Sequence, residues 1–388
     1  MLSGVNVALG VTGSIAAVKT VELAHELRRR GASVRGVTTE AATGVVHPWA
    51  IEFATGNHVV TEVTGAVEHV DLCGDDGWAD VLLIAPATAN TVGKIAAAID
   101  DTPVTTCTTT ALGAGVPVAI APAMHEPMYD HPGVLSAIER VEEWGVSFVD
   151  PRIEEGKAKI ASIDAIALET ARVAGPSPLA GTRVVVMAGA TAEPIDPVRV
   201  LTSRASGRTG RAVARGCYAR GADVTLVHGE RNFDGNLPWA DVCRVGTTAE
   251  MLVAVESAVE GADALVSAAA VGDYTVDAAA EKIRSGQDEL TLTLRPTPKL
   301  IDAVRERRPD LPIVGFKAET GGDDGAMVER ARRIMDRADL SFVVANDASV
   351  MGAEDTRAVI VRDDEETVFE GRKDELGLQI AAELAGVA

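Results

Sequence analysis

Cysteine, lysine and long apolar runs are all scarce in this 388-residue chain. The four cysteines, Cys73, Cys107, Cys217 and Cys243, form no CxxC pair, which argues against a zinc site. Scattered singly, they suit a reducing compartment and read as small buried apolar residues rather than nucleophiles. Lysine supplies only 8 of the 36 basic side chains, and 57 acidic ones leave a net charge of -21. A nucleic-acid backbone would be repelled, so no nucleic-acid partner is expected. The charge reads as a solvated acidic surface suited to high salt, and it reports on solubility rather than chemistry. No run approaches the ~18 apolar residues of a membrane span. The first residues, Met1 to Val7, enter a strand without a basic region, an apolar stretch and a cleavage site, so a cytoplasmic protein is expected. Neither glycine turn completes GxGxxG, which argues against a dinucleotide dehydrogenase.

Apolar residues make up 47% of the chain, enough for two cores at this length. Strands and helices alternate. Strands are read at 5–11, 33–38, 81–85 and 116–121, with helices at 14–30 and 88–99 between them. Two prolines and two glycines within 174–181 mark a linker. Beyond it, strands are read at 183–188, 223–227, 264–268, 313–316 and 342–345, with helices at 207–220, 325–337 and 373–385. The stretch 358–369 reads as a hairpin turning at 363–366. This βαβ rhythm predicts an α/β protein of two doubly wound, Rossmann-like, three-layer domains, 1–173 and 182–388.

Each half opens on a glycine turn between a strand and a helix, Gly10 to Ala17 and Ser203 to Gly210. Helix N-termini present unbonded N–H groups and a positive dipole end, where phosphates sit. In the first half, His69 precedes the strand at 81, and Pro86 to Asn90 and Pro122 to Met128 follow strands at their carboxyl ends, where α/β ligand sites lie. In the second half, Arg199, Arg204 and Arg208 flank the turn at Ser206–Gly207. Ser267 to Tyr274 ends an apolar strand with small residues that admit a ligand to the backbone. Arg333 and Arg337, four apart, share one helix face.

These segments carry a resemblance. Gly13 to Lys19, Pro86 to Asn90, and Pro122-Ala123-Met124 with Met128 resemble phosphopantothenoylcysteine decarboxylase, a homo-oligomeric flavoprotein of flavodoxin-like fold, over about residues 1–170. The resemblance implies FMN contacts at Gly13, Ser14, Thr39 and Asn90, with FMN sites shared between subunits. His69 would be the catalytic histidine, and Met124 and Met128 would border the substrate. The implied chemistry is a flavin-assisted loss of CO2, in which transient oxidation of the cysteine CH2–SH group to a thioaldehyde provides the missing electron sink. Two positions depart from the bacterial pattern. His125 stands where Asn is usual after Pro-Ala-Met. The flap segment 150–160 lacks the cysteine that protonates the enethiolate. Lys159, Lys157 and His125 are the candidate replacement donors.

The second half resembles phosphopantothenate–cysteine ligase, so the whole resembles the bifunctional coenzyme A biosynthesis proteins. By that resemblance Ser267, Ala268, Ala269, Asp273, Lys282, Thr297, Pro298, Lys299 and Phe316, within Gly315 to Thr320, would contact CTP. Arg333 and Arg337 would reach its phosphates where the family usually has lysines. Arg199, Arg204, Ser206 and Gly207 would hold the substrate. The implied reaction joins 4′-phosphopantothenate to cysteine through an acyl-cytidylate, with Mg2+, Lys282 stabilising the transferring phosphoryl group. Ser203 replaces the usual Asn at a position linked to the acyl intermediate. The alternatives are a chain in which only one half is catalytic and the other serves assembly or regulation, and a flavin prenyltransferase, which the second domain disfavours.

Overall fold

The computed structural model describes all residues except 234–236, 287, 320–323 and 348–354. The chain divides into two compact units, Met1–Pro176 and Ser177–Ala388. In the first, five parallel strands lie in the spatial order Ser33–Thr38, Asn6–Val11, Val81–Ala87, Val118–Pro122, Ser147–Phe148. This is the flavodoxin-like order, which reverses direction beside the first strand. Successive side chains of a strand face opposite ways. Val7 and Leu9 therefore pack with Leu23, Leu27 and Ile166 on one side, while Ala8 joins Val104, Cys107 and Ile138 on the other. Helices cover both faces, giving three layers.

The second unit repeats the logic. Its eight-stranded sheet runs Asp241–Val245, Asp223–Gly229, Arg183–Ala188, Ala264–Ser267, Ile313–Glu319, Phe342–Asp347, Asp355–Val361, Glu366–Arg372. The first six are parallel in the Rossmann order, and the last two form an antiparallel hairpin that extends the sheet. Val185 and Met187 face Met251, Val304 and Val328; Val184 and Val186 face Val213, Cys217 and Ile380.

Local chemistry explains where elements shift from the sequence reading. The helix read from Ser14 opens as a 3-10 turn, Ile15–Lys19, and becomes α-helical at Thr20–Arg29; Ser14 Oγ accepts the Ala16 N–H at 3.3 Å. The strand read from 116 begins at Val118. Gly115, at φ 73°, ends the helix Pro103–Ala114, and the Val116 N–H still bonds back to Ala111. The stretch read as a linker sends Leu179, fully buried, into the second unit's core. Cys73, Cys107 and Cys217 are buried, with burial pushing the Cys217 thiol up to about 12. Cys243 is exposed on the edge strand Asp241–Val245, contrary to the buried reading.

Candidate active sites

At the carboxyl ends of the first unit's strands, three of the sequence motifs are stitched together. Thr12 Oγ1 donates to Pro86 O at 2.9 Å and accepts the Thr88 N–H at 3.1 Å. Ser14 Oγ donates to Ala123 O at 3.1 Å, and the Ala123 N–H reaches Ala87 O. Gly13 is required by packing, since a Cβ there would lie 2.6 Å from that of Ala41. Thr39 is buried and caps the short helix Glu40–Thr43. Asn90 is exposed in the first turn of Ala89–Ala96, which Thr88 caps. The rim sits where the strand order reverses, the expected place for a ligand.

His69 is carried separately, on the helix Glu68–Cys73, which packs on Pro103–Ala114. Its Nδ1 is buried, with no hydrogen-bond partner among the described residues. The flap is a hairpin, Arg152–Glu154 with Lys157–Lys159, that pairs with the strand Met124–His125. In this register Met124 faces Ala158 and His125 faces Lys157, so the last two share a sheet face. Lys159 is engaged elsewhere. Its ammonium lies 2.8 Å from Glu155 and 3.2 Å from Glu154, and these two carboxylates raise its pKa above the ordinary lysine value. Held as an ammonium in this way, Lys159 gives up its proton less readily than an ordinary lysine. Met128 is exposed.

In the second unit a cleft of about 450 Å³ opens between the ends of Arg183–Ala188 and Ala264–Ser267, where strand order reverses. Its walls come from Ser206 and Gly207, from Ser267, Ala268, Ala269 and Asp273, from Thr297, Pro298 and Lys299, and from Phe316 and Arg337. Lys299 Nζ bonds Asp273 at 2.6 Å, and the Thr297 N–H reaches Asp273 O, so these two motifs form one loop pair. Arg337 reaches the cleft with its guanidinium held by Asp302 at 2.9 Å.

Other expected residues stand differently. Arg333 pairs with Glu329 at 3.3 Å and is not among the cleft's lining residues. Arg199 is not an open cation. It bonds Asp196, whose side chain is fully buried, at 2.6 Å and also reaches Ile283 O. Burial raises the Asp196 carboxyl, but the N–H groups of Val198, Arg199 and Ile283 outweigh it and hold the group below its usual range. This clamp anchors the loop carrying Lys282, which is exposed outside the cleft lining. Arg204 and Ser203 are exposed, and Ser203 Oγ accepts the Ala205 N–H at 3.2 Å. Thr320, at the end of the Phe316 segment, lies outside the described residues.

The sequence reading missed several participants. Lys373 and Thr356 line the cleft, although both come from the C-terminal elements. His228 is wholly buried beneath the turn: Nδ1 donates to Gly229 O at 2.7 Å, leaving Nε2 to accept from Arg211 at 2.8 Å. Burial, then the charges of Arg211 and Arg244, lower its pKa and keep it neutral. Arg211 also donates to Ser206 O at 3.1 Å. A lone histidine at the end of an apolar strand carries no sequence signal for this role. Among the described residues, no group of three His, Cys, Asp or Glu side chains is placed to hold a metal ion, and no helix is long and apolar enough to cross a membrane.

Two families match end to end: the Flavoprotein family over residues 1–175, and the DNA/pantothenate metabolism flavoprotein C-terminal domain over 179–387. The coenzyme A biosynthesis bifunctional protein CoaBC of Thermococcus kodakarensis is 49% identical over 364 residues, 93% of this chain and 89% of that protein. The chain belongs to the CoaBC family. The CoaBC proteins of Methanocaldococcus jannaschii and Bacillus subtilis are each 34% identical, covering 90% and 91% of this chain and 85% and 88% of their own lengths. Membership in this family fits the motif-lined rim of the first sheet and the cleft of the second, each at its sheet's reversal point.

Proposed function

We propose that this chain makes 4′-phosphopantetheine in two steps, with ligation in 182–388 and decarboxylation in 1–173, joined through 174–181. The observation that carries the reading is the cleft of the second unit. There the Ser206–Gly207 turn, the small residues Ser267 to Ala269, the Asp273–Lys299 pair and Arg337 face one space of about 450 Å³. This combination suits a nucleotide triphosphate: N–H groups for phosphate, a flat wall at Phe316 for a base, and fixed cations. In the ligation, the 4′-phosphopantothenate carboxylate attacks the α-phosphate of CTP and pyrophosphate leaves. The amine of cysteine then attacks the acyl-cytidylate and CMP leaves. Mg2+ arrives with the triphosphate. In this reading Lys282, on the loop that Asp196 and Arg199 clamp, swings in from outside the cleft lining to follow the transferring group.

The first unit fits FMN on one structural ground: the buried Nδ1 of His69 has no partner among the described residues, a polar atom left for a ligand or substrate to satisfy. When bound, the flavin supplies the two-electron chemistry that makes the carboxylate labile. His69 holds and moves the proton of the reacting group. His125 binds the departing carboxylate, and Lys157, opposite it in the hairpin, is the favoured donor to the enethiolate carbon. Ile15, Trp49 and Phe53 are each at least three-quarters exposed, which suits burial against a second copy of the chain and sites shared between subunits.

The deciding experiment supplies phosphopantothenate, cysteine, CTP and Mg2+ to the flavin-loaded chain. Phosphopantetheine, CO2, CMP and pyrophosphate in equal amounts are expected. Pyrophosphate without CO2 would leave the first unit as an assembly or regulatory module, and neither product would end the reading.

A further inference from the structure

Beside the nucleotide cleft lies a second cavity of about 300 Å³, lined among the described residues by Arg208, Arg211, Ala212, Arg215, Arg372, Lys373 and Asp374. Five cations around one small space are unexpected in a chain of net charge -21. Two helices bring them together. Arg208, Arg211 and Arg215 recur at helical spacing along one face of Arg208–Ala219, and Arg372 and Lys373 begin the helix Lys373–Leu384. The helices touch backbone to backbone, because both crossing residues are glycine. A Cβ on Gly216 would lie 2.2 Å from Gly377 O, and one on Gly377 would lie 2.1 Å from Ala212 O. Closer approach than side chains allow draws the two cationic rows to one opening. Arg211 is oriented by neutral His228, which adds no charge of its own. Arg208 and Lys373 line both this cavity and the nucleotide cleft, so the two spaces adjoin.

We propose that this cavity is a second anion site, which takes a phosphate or pyrophosphate group alongside the nucleotide. Lys373 is nine-tenths buried next to Arg208. Burial first, and then that like charge, pull its pKa below the ordinary lysine value. The phosphoryl group has two sources: the 4′-phosphate of the ligation substrate, or pyrophosphate after it leaves CTP. The site does not depend on the catalytic reading, because the cation cluster exists whichever reaction the cleft performs.

The test titrates the full-length chain with inorganic pyrophosphate by calorimetry. The Arg215→Gln/Arg372→Gln variant is expected to bind about tenfold more weakly, and Arg215→Lys/Arg372→Lys to stay within about threefold of wild type. Thermal melts confirm that each variant folds, and Arg215→Gln alone serves if the double variant melts early. Wild-type chain that does not bind pyrophosphate, or a glutamine variant that binds it unchanged, overturns the proposal. Steady-state ligation separates the sources. A raised KM for phosphopantothenate identifies the substrate phosphate. An unchanged KM with weaker product inhibition by pyrophosphate identifies the leaving group. A chain without ligase turnover would sink the catalytic reading while the calorimetry still decides this one.

Discussion

His228 shows how much one buried side chain can organise. It accepts from Arg211, donates to Gly229, and lies against Gly207 so closely that a Cβ on that glycine would come within 2.4 Å of Nε2. With φ at 71°, Gly207 has both a conformational and a steric reason to be glycine. Gly207→Ala is expected to cost roughly 2 kcal/mol in urea denaturation and to abolish ligation, because the turn must rise off the imidazole. The histidine also makes stability depend on pH. Its folded-state pKa is lowered from 6.5, so its contribution is fully present above that value. It is lost as pH falls from there through the lower folded value, because the unfolded chain takes up a proton that the folded one refuses. Thermal melts from pH 7.5 to 5 should fall more steeply for wild type than for His228→Gln. In the first unit, Lys159→Ala is expected to keep decarboxylation within about threefold, and His69→Ala to lose about a hundredfold or more, in single-turnover CO2 release. Equal losses would make Lys159 a proton donor after all.

Helices and strands were legible in proportion to how regularly they alternate. Strand 183–188 matches the reading to the residue, and the hairpin 358–369 is present as Asp355–Val361 with Glu366–Arg372, because long apolar or alternating runs announce themselves. The helices Pro103–Ala114 and Thr248–Ala258 went unread. The first is rich in threonine, and its start is set by a reciprocal cap between Thr102 and Thr105 rather than by apolar spacing. The site divides in the same way. Turns and strand ends were visible as motifs, whereas Lys373, Thr356 and His228 join only through tertiary packing, and the pairing of Arg199 with buried Asp196 has no signal in the sequence. At this scale the glycine crossing is the feature to break. Gly377→Ala must push Lys373–Leu384 off Arg208–Ala219, and a loss of about 2–4 kcal/mol is expected in the unfolding of the second unit. Flavin absorbance should not change.

The whole molecule carries 57 acidic against 36 basic side chains, so self-repulsion works against folding in dilute buffer. Raising KCl from about 0.05 to 1 M, where the screening length falls to about 3 Å, should raise the melting temperature. A melting temperature that does not change with salt would show that the acidic surface is locally neutralised. The order of the chain has its own consequence. All of the first unit lies within the first 176 residues, so it can fold while the ribosome is still making the rest. The second cleft cannot close so early. Arg208 waits beside it until Thr356 and Lys373 have been synthesised and the final helix has docked. A chain cut short before Thr356 would therefore keep the first unit whole and leave the second unit's cleft without two of its walls.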